Sequence, residues 1–143
     1  SPKSLKNADG ESITLVPKGY LGINETAVKI HVNDQNCHAD FYERIMGFRR
    51  IDNNTFQIGD SLLFTKERNK PESAGHWVNY GFRYLTLHVH NIDETFREMV
   101  DSGAEIGEEP YAIGDIAKIS FVRDPDGNWI EVAQRASLAG PWN

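Results

Sequence analysis

Apolar and polar residues alternate strictly in two stretches of the chain, and a helical pattern follows each. Over 27–32, Val28, Ile30 and Val32 share one face, and Ala27, Lys29 and His31 share the other. A period of two describes a strand with one packed side and one side facing something wetter. Over 84–90 the pattern returns, with Leu85, Leu87 and Val89 set against Tyr84, Thr86, His88 and His90. After the first stretch, Asp34 can cap a helix whose Cys37, Phe41 and Ile45 recur at helical spacing until Gly47. After the second, Asn91 is the cap and Glu94 stands three residues on. Ile92, Phe96, Met99 and Val100 then form the apolar stripe, and Gly103 ends it. His31 and His88 lie 57 residues apart, and Gly47 and Gly103 lie 56 apart. The chain therefore carries one unit twice, and a repeat of this length normally pairs with its copy to bury its apolar face. The pairing would create a shared cleft.

Short strands punctuated by turn residues complete each copy: 48–52, 55–58 and 61–66 in the first, 105–108, 117–123 and 128–133 in the second. Each copy reads strand, helix, three antiparallel strands, a βαβββ unit. The expectation is an α+β fold in which two tandem modules, 26–66 and 83–133, form a curved mixed sheet around a shared cleft, with helices on the outer face. Those modules make up a domain over 23–136, joined by a linker with Pro71 and Gly75. Residues 137–143 read as a tail and 1–22 as an N-terminal arm. Residues 7–15 align with 124–132 at a fixed offset of 117, sharing an Asp-Gly turn and an isoleucine, with Thr14 in the place of Glu131. The arm therefore reads as the last strand of a preceding module or as a segment packing on another sheet.

At 143 residues the chain holds one domain with a sizeable core. A net charge of −6 argues against nucleic acid or an anionic membrane as partner. The single Cys37 excludes an intrachain disulfide and fits the cytoplasm, and no apolar run is long enough for a signal peptide or a membrane span. On the first helix stripe, Cys37 reads as a small core residue rather than a nucleophile. His38 and His90 read as solvated, and His76 belongs to the linker.

The paired units, with Phe41-Tyr42 ahead of Gly47-Phe48 and a closing stretch 121–132 that reads FVRDPDGNWIEV, resemble the vicinal oxygen chelate superfamily. That superfamily includes glyoxalase I, extradiol dioxygenases and bleomycin resistance proteins. The resemblance implies the fold firmly and the chemistry weakly, because members share a scaffold and differ in what fills the cleft. In its metal-using members, four side chains hold one divalent ion. Carried over by position, these fall on Ala27, Phe64, Tyr84 and Glu131. Alanine and phenylalanine offer no donor, and tyrosine is an unusual partner for such ions. No metal or other cofactor is therefore expected. A divalent metal stays open as an alternative, with Glu131, His31 and His88 as its ligands. The two histidines lie four residues further along their strands, about 13 Å at strand rise.

Parity leaves Lys29, Phe64, Tyr84, Thr86, Trp129 and Glu131 facing the cleft: three flat apolar walls and a few orienting polar groups, as in a small-molecule pocket. The resulting expectation is a homodimer that binds a small, partly aromatic molecule without a metal, of the resistance or sequestration type. Two alternatives stand beside it. One is a metal-dependent lyase, isomerase or dioxygenase with relocated ligands. The other is an interaction domain whose cleft is filled by its own side chains.

Overall fold

Gln35 begins the first helix because Asp34, itself still extended, turns its carboxylate to accept from the Cys37 amide at 2.8 Å. In the computed structural model, which describes residues 1–8, 10–78 and 84–142, the elements follow in order. They are β1 (Lys3–Lys6), β2 (Ser12–Leu15), β3 (Ala27–Val32), α1 (Gln35–Asp40) with a π-helical continuation (Phe41–Ile45), β4 (Arg49–Asp52), β5 (Thr55–Ile58) and β6 (Ser61–Glu67). Then come β7 (Tyr84–His88), α2 (Ile92–Asp101), β8 (Glu105–Ile113), β9 (Ala117–Arg123), β10 (Trp129–Arg135) and α3 (Ala136–Ala139). Position 83, expected to open the second module, and linker positions 79–82 lie outside the described residues, as do 9 and 143.

The tandem βαβββ modules and the α+β class are present. The strands form two four-stranded sheets, ordered β3-β6-β5-β4 and β7-β10-β9-β8. In each, the first strand runs parallel to the last and the remaining pairs are antiparallel. β3 and β7 are thus corresponding edge strands. The helix-bearing faces of both sheets feed one core cluster, which contains Phe41, Tyr42, Phe48, Phe56 and Leu63 of the first module and Ile92, Phe96, Met99, Val122, Ile130 and Val132 of the second. Val32 is fully buried, and Val28, Ile30, Leu85, Leu87 and Val89 pack against this cluster from partly buried positions.

Two local features depart from the sequence pattern. The first helix widens into i→i+5 bonding, seen in the 2.9 Å bond from the Met46 amide to the Phe41 carbonyl. That turn follows Asp40 and carries one extra residue, so that Met46 is buried at its end. Ahead of it, the packed stripe is His38, Phe41 and Tyr42 at ordinary helical spacing rather than the one through Cys37. The buried positions become His38, Ala39, Phe41, Tyr42 and Met46, while Cys37 is exposed. The expectations of a core Cys37 and a solvated His38 are both reversed. Strand β8 runs on to Ile113 through two register shifts, past residue 108, where the expected strand ended.

The N-terminal segment forms a hairpin, β1 with β2, in which Leu5 pairs with Ile13 and Lys3 with Leu15. Leu5, Ile13 and Leu15 are each more than 60% exposed on one face of this ribbon. No helix among the described residues is long and apolar enough to cross a membrane.

Candidate ligand cleft

The six residues expected to line the cleft divide between the two sheets. Lys29 and Phe64 are register partners on the first sheet, with Thr55 beside Phe64. On the second sheet, Trp129 pairs with Tyr84 and Glu131 with Thr86. The structure therefore brings four of the six together on one face and leaves the other two on a separate sheet.

That face of the second sheet carries a second apolar cluster: Ala117, Ile119, Phe121, Trp129 and Ala133, with Tyr84 and the linker residue Trp77 packed on it. Phe121 is its hub. The Trp77 ring stacks on it at 5.5 Å, and Tyr84 and Trp129 meet it edge-on at 5.4 and 5.7 Å. His76 lies 5.3 Å from the Trp129 ring, and the Arg123 guanidinium sits over the same indole at 5.2 Å. Phe121 and Trp77 escaped the sequence reading. Phe121 could have been found by folding the Asp124–Gly127 turn into a hairpin, which sets residue 121 opposite Glu131. Trp77 carries no periodic signal at all.

Gly107 explains how closely this cluster is packed. A β-carbon there would meet the Trp129 ring at 2.6 Å. Gly107→Ala should therefore displace the indole, destabilise the fold by about 1–3 kcal/mol and shift the tryptophan emission maximum. An unchanged spectrum and melting temperature would show that the indole moves freely.

A cavity of about 550 Å³ opens beside these residues, between the first-module strands β3 and β6 and the free edge of β7. Val28, Leu62, Leu63, Leu85 and Leu87 supply apolar walls, and Thr26, Ser61, Tyr84, Thr86 and His88 supply polar atoms. Tyr84 and Thr86 are the expected ligand residues that line it. Lys29, Phe64, Trp129 and Glu131 do not.

The positions that the resemblance assigns to a metal are poor in donor atoms. Ala27 and Phe64 present no ligand atom, and among the described residues no three His, Cys, Asp or Glu side chains come close enough to hold an ion. His31 is paired with the cationic Lys66, and its carbonyl accepts a hydrogen bond from Arg68. His88 pairs with Ala133 on the other sheet. The Cys37 thiol is pushed up by the neighbouring Asp34 carboxylate, which makes it a poor thiolate source.

The modules are joined at one end by a buried polar clasp. His38 Nδ1 lies 2.8 Å from the Asp34 carbonyl oxygen, and Nε2 faces Asp124 and Asp126 carboxylate oxygens at 3.4 and 3.6 Å. Asp124 also accepts from the Asp126 and Asn128 amides and the Asn128 side chain, while Asp126 accepts from the Asn33 amide across the junction. Burial alone would push the His38 pKa down, but Asp124, the Asp34 carbonyl and the charge of Asp126 outweigh it, and the net shift is upward from 6.5. Tyr42 beside it is held well above its ordinary range by burial and the same two carboxylates.

Comparison with known proteins agrees with this architecture. The family model described as Glyoxalase/Bleomycin resistance protein/Dioxygenase superfamily matches residues 22–132. A probable lactoylglutathione lyase from Synechocystis sp. is 28% identical over 121 residues, covering 76% of this chain and 92% of that protein. Among solved structures, TioX from Micromonospora sp. ML1 superposes with a TM-score of 0.62 at 18% identity, covering 77% of this chain and 97% of its own. A glyoxalase/bleomycin resistance protein/dioxygenase family enzyme from Burkholderia phytofirmans PsJN also reaches 0.62 at 18% identity, over 76% of this chain and 96% of its own. At such identities the solved structures speak for the fold alone.

Proposed function

Because the chain belongs to the glyoxalase/bleomycin resistance protein/dioxygenase superfamily, we propose that it binds a small, partly aromatic molecule between its two modules, without a metal ion. The observation that supports this is the cavity of about 550 Å³ at the β7 edge. Its size falls within the range of small-molecule sites, and its lining is mainly apolar with a few polar atoms. The name of the Synechocystis relative is that of a lyase; a lyase that used a metal at the positions the family resemblance implies would need donors where this chain has Ala27 and Phe64.

The test is a screen of aromatic metabolites, glutathione conjugates and aromatic antibiotics, read by melting temperature and tryptophan fluorescence. Leu62→Trp, which fills the cavity from β6, should weaken any hit at least tenfold while the fold stays intact. If no compound moves either signal, the filled-cleft reading replaces this one. A rise of several degrees on adding Zn²⁺ or Ni²⁺, reversed by a chelator, would instead favour the metal-dependent enzyme.

The hairpin supports a second part of the reading, a homodimer in which another copy covers its apolar face. An isolated two-stranded ribbon is at best marginal in water, yet Leu5, Ile13 and Leu15 lie open on it. The double variant Leu5→Asp, Ile13→Asp should raise the dimer dissociation constant about 100-fold or more, since each side chain contributes about 1.5–3 kcal/mol on burial. Sedimentation equilibrium decides it, and a wild-type monomer at tens of micromolar would overturn the assignment.

A further inference from the structure

We propose that the N-terminal hairpin of a second copy adds to the free edge of β7 and closes the cavity there, so that each ligand site is completed by the partner subunit. The inference rests on the small-molecule and homodimer readings above and states what the second copy contributes to the site.

Every residue of β1 and β2 is exposed, yet the ribbon is two-faced. Leu5, Ile13 and Leu15 lie on one side, and on the other Ser4 meets Thr14 at 2.9 Å with Lys6 beside Ser12. A ribbon of this kind gains most from a sheet edge with the same two faces. Strand β7 has them: Leu85 and Leu87 on its packed side, Tyr84, Thr86 and His88 on the other. Alternate residues of a strand send their N–H and C=O groups to opposite edges. The Val89 amide bonds the Ala133 carbonyl of β10, so Leu87 and Leu85 also face β10. Tyr84, Thr86 and His88 then present their backbone groups to the other edge. Strand β7 ends its sheet, and no described strand pairs with that edge. All five of its residues line the cavity, which therefore runs along the unpaired backbone. Strand β2 is the better fit. Ile13 and Leu15 of the partner subunit would continue the Leu85 and Leu87 face over the cavity, and Ser12 and Thr14 the polar one. The ribbon also springs from the cavity's rim. A β-carbon at Gly22 would stand 3.8 Å from the Leu62 side chain, and Leu62 and Thr26 both line the cavity. In a two-fold dimer, a segment rooted near the axis lies beside the same region of its partner, so hairpins leaving two facing rims exchange reciprocally. A molecule held behind the partner's ribbon binds the dimer better than the monomer, and tightens the dimer in return.

Paramagnetic broadening across a mixed dimer is the test. One copy carries a nitroxide at Ser12→Cys in a Cys37→Ser background, and the other is ¹⁵N-labelled wild type. In the ¹⁵N copy the amides of Leu85 to His88 should broaden far more than those of Arg49–Asp52, on the opposite edge of the first sheet. Thr86→Pro removes an N–H from the free edge without breaking a ladder bond. It should raise the dimer dissociation constant at least tenfold while the monomer keeps its circular dichroism spectrum. An unchanged constant would overturn the edge pairing. If the dimer forms and the β7 amides are untouched, the arm assignment falls and the homodimer stands. If wild type stays monomeric at the concentrations used, both fall. If the β7 amides broaden and no compound of the screen binds, the arm assignment stands and the small-molecule reading falls.

Discussion

Replacing Asp124 with alanine should lower the melting temperature by about 10 °C or more, the largest effect expected of any surface turn in this chain. The residue sits in a turn, but its carboxylate is enclosed and has two tasks. It accepts from two amides and one side-chain amide within the Asp124–Asn128 turn, and it faces His38 of the other module. Alanine would leave two turn amides without their acceptor and His38 with one carboxylate instead of two. Breaking a buried charged pair by removing one partner costs about 3–5 kcal/mol, and each kilocalorie is about 2–4 °C for a chain of this size. The pH dependence identifies the clasp. The folded-state pKa of His38 is raised, so its contribution is fully present below the unfolded value near 6.5 and is lost as pH rises through the folded value. The melting-temperature gap between wild type and His38→Gln should therefore be wide at pH 5.5 and should shrink toward pH 8. A gap that does not change with pH would mean His38 acts by shape alone.

The second large effect is expected at Phe121. It is 1% exposed and meets Trp77, Tyr84 and Trp129. Phe121→Ala should cost about 3–5 kcal/mol, the scale for removing a buried phenylalanine. The denaturation midpoint should fall at unchanged slope, because the same surface is exposed on unfolding. Two indoles also lose their neighbour, so the native emission should move to longer wavelength. Phe121→Leu, which keeps most of the volume, should recover more than half of the stability. Full stability in the alanine variant would show that the aromatic cluster is not held through this ring.

The strands and their faces were legible in the sequence because a half-buried strand must alternate, and Val28, Ile30, Leu85 and Leu87 do so without exception. The helix limits were legible because Asp34, Asn91, Gly47 and Gly103 are residue types that starts and stops require. The first helix face was not. The apolar stripe Cys37, Phe41, Ile45 puts Cys37 inside, but His38, Phe41 and Tyr42 share an equally good helical stripe, and it is this one that packs. The clasp was invisible as well: its partners, His38 and Asp124, belong to different modules and are brought together only by the common core. The candidate cleft was half legible. Parity located Tyr84, Thr86, Trp129 and Glu131 on one face, but parity within a strand cannot say how two sheets are set against each other. Lys29 and Phe64 were therefore grouped with residues of a separate sheet. Trp77 lies in a linker, where side-chain direction follows from tertiary contacts alone.

The interior common to both modules also bears on how such a chain can change over generations. A duplicated gene is often pictured as two copies free to diverge, one conserving while the other explores. Here the π-helical turn of the first copy contacts α2 of the second, and Arg44 donates to the Ser102 carbonyl at that junction. Tyr42, Met46, Phe96 and Met99 belong to one buried cluster, so acceptable volumes in one half depend on the residues already present in the other. The outward sheet faces carry no such mutual constraint. A change on an outward face is therefore answered by neighbours on that same face, as Phe121 is by Trp77, Tyr84 and Trp129, and these are the faces where Ala27 and Phe64 stand opposite in kind to Tyr84 and Glu131.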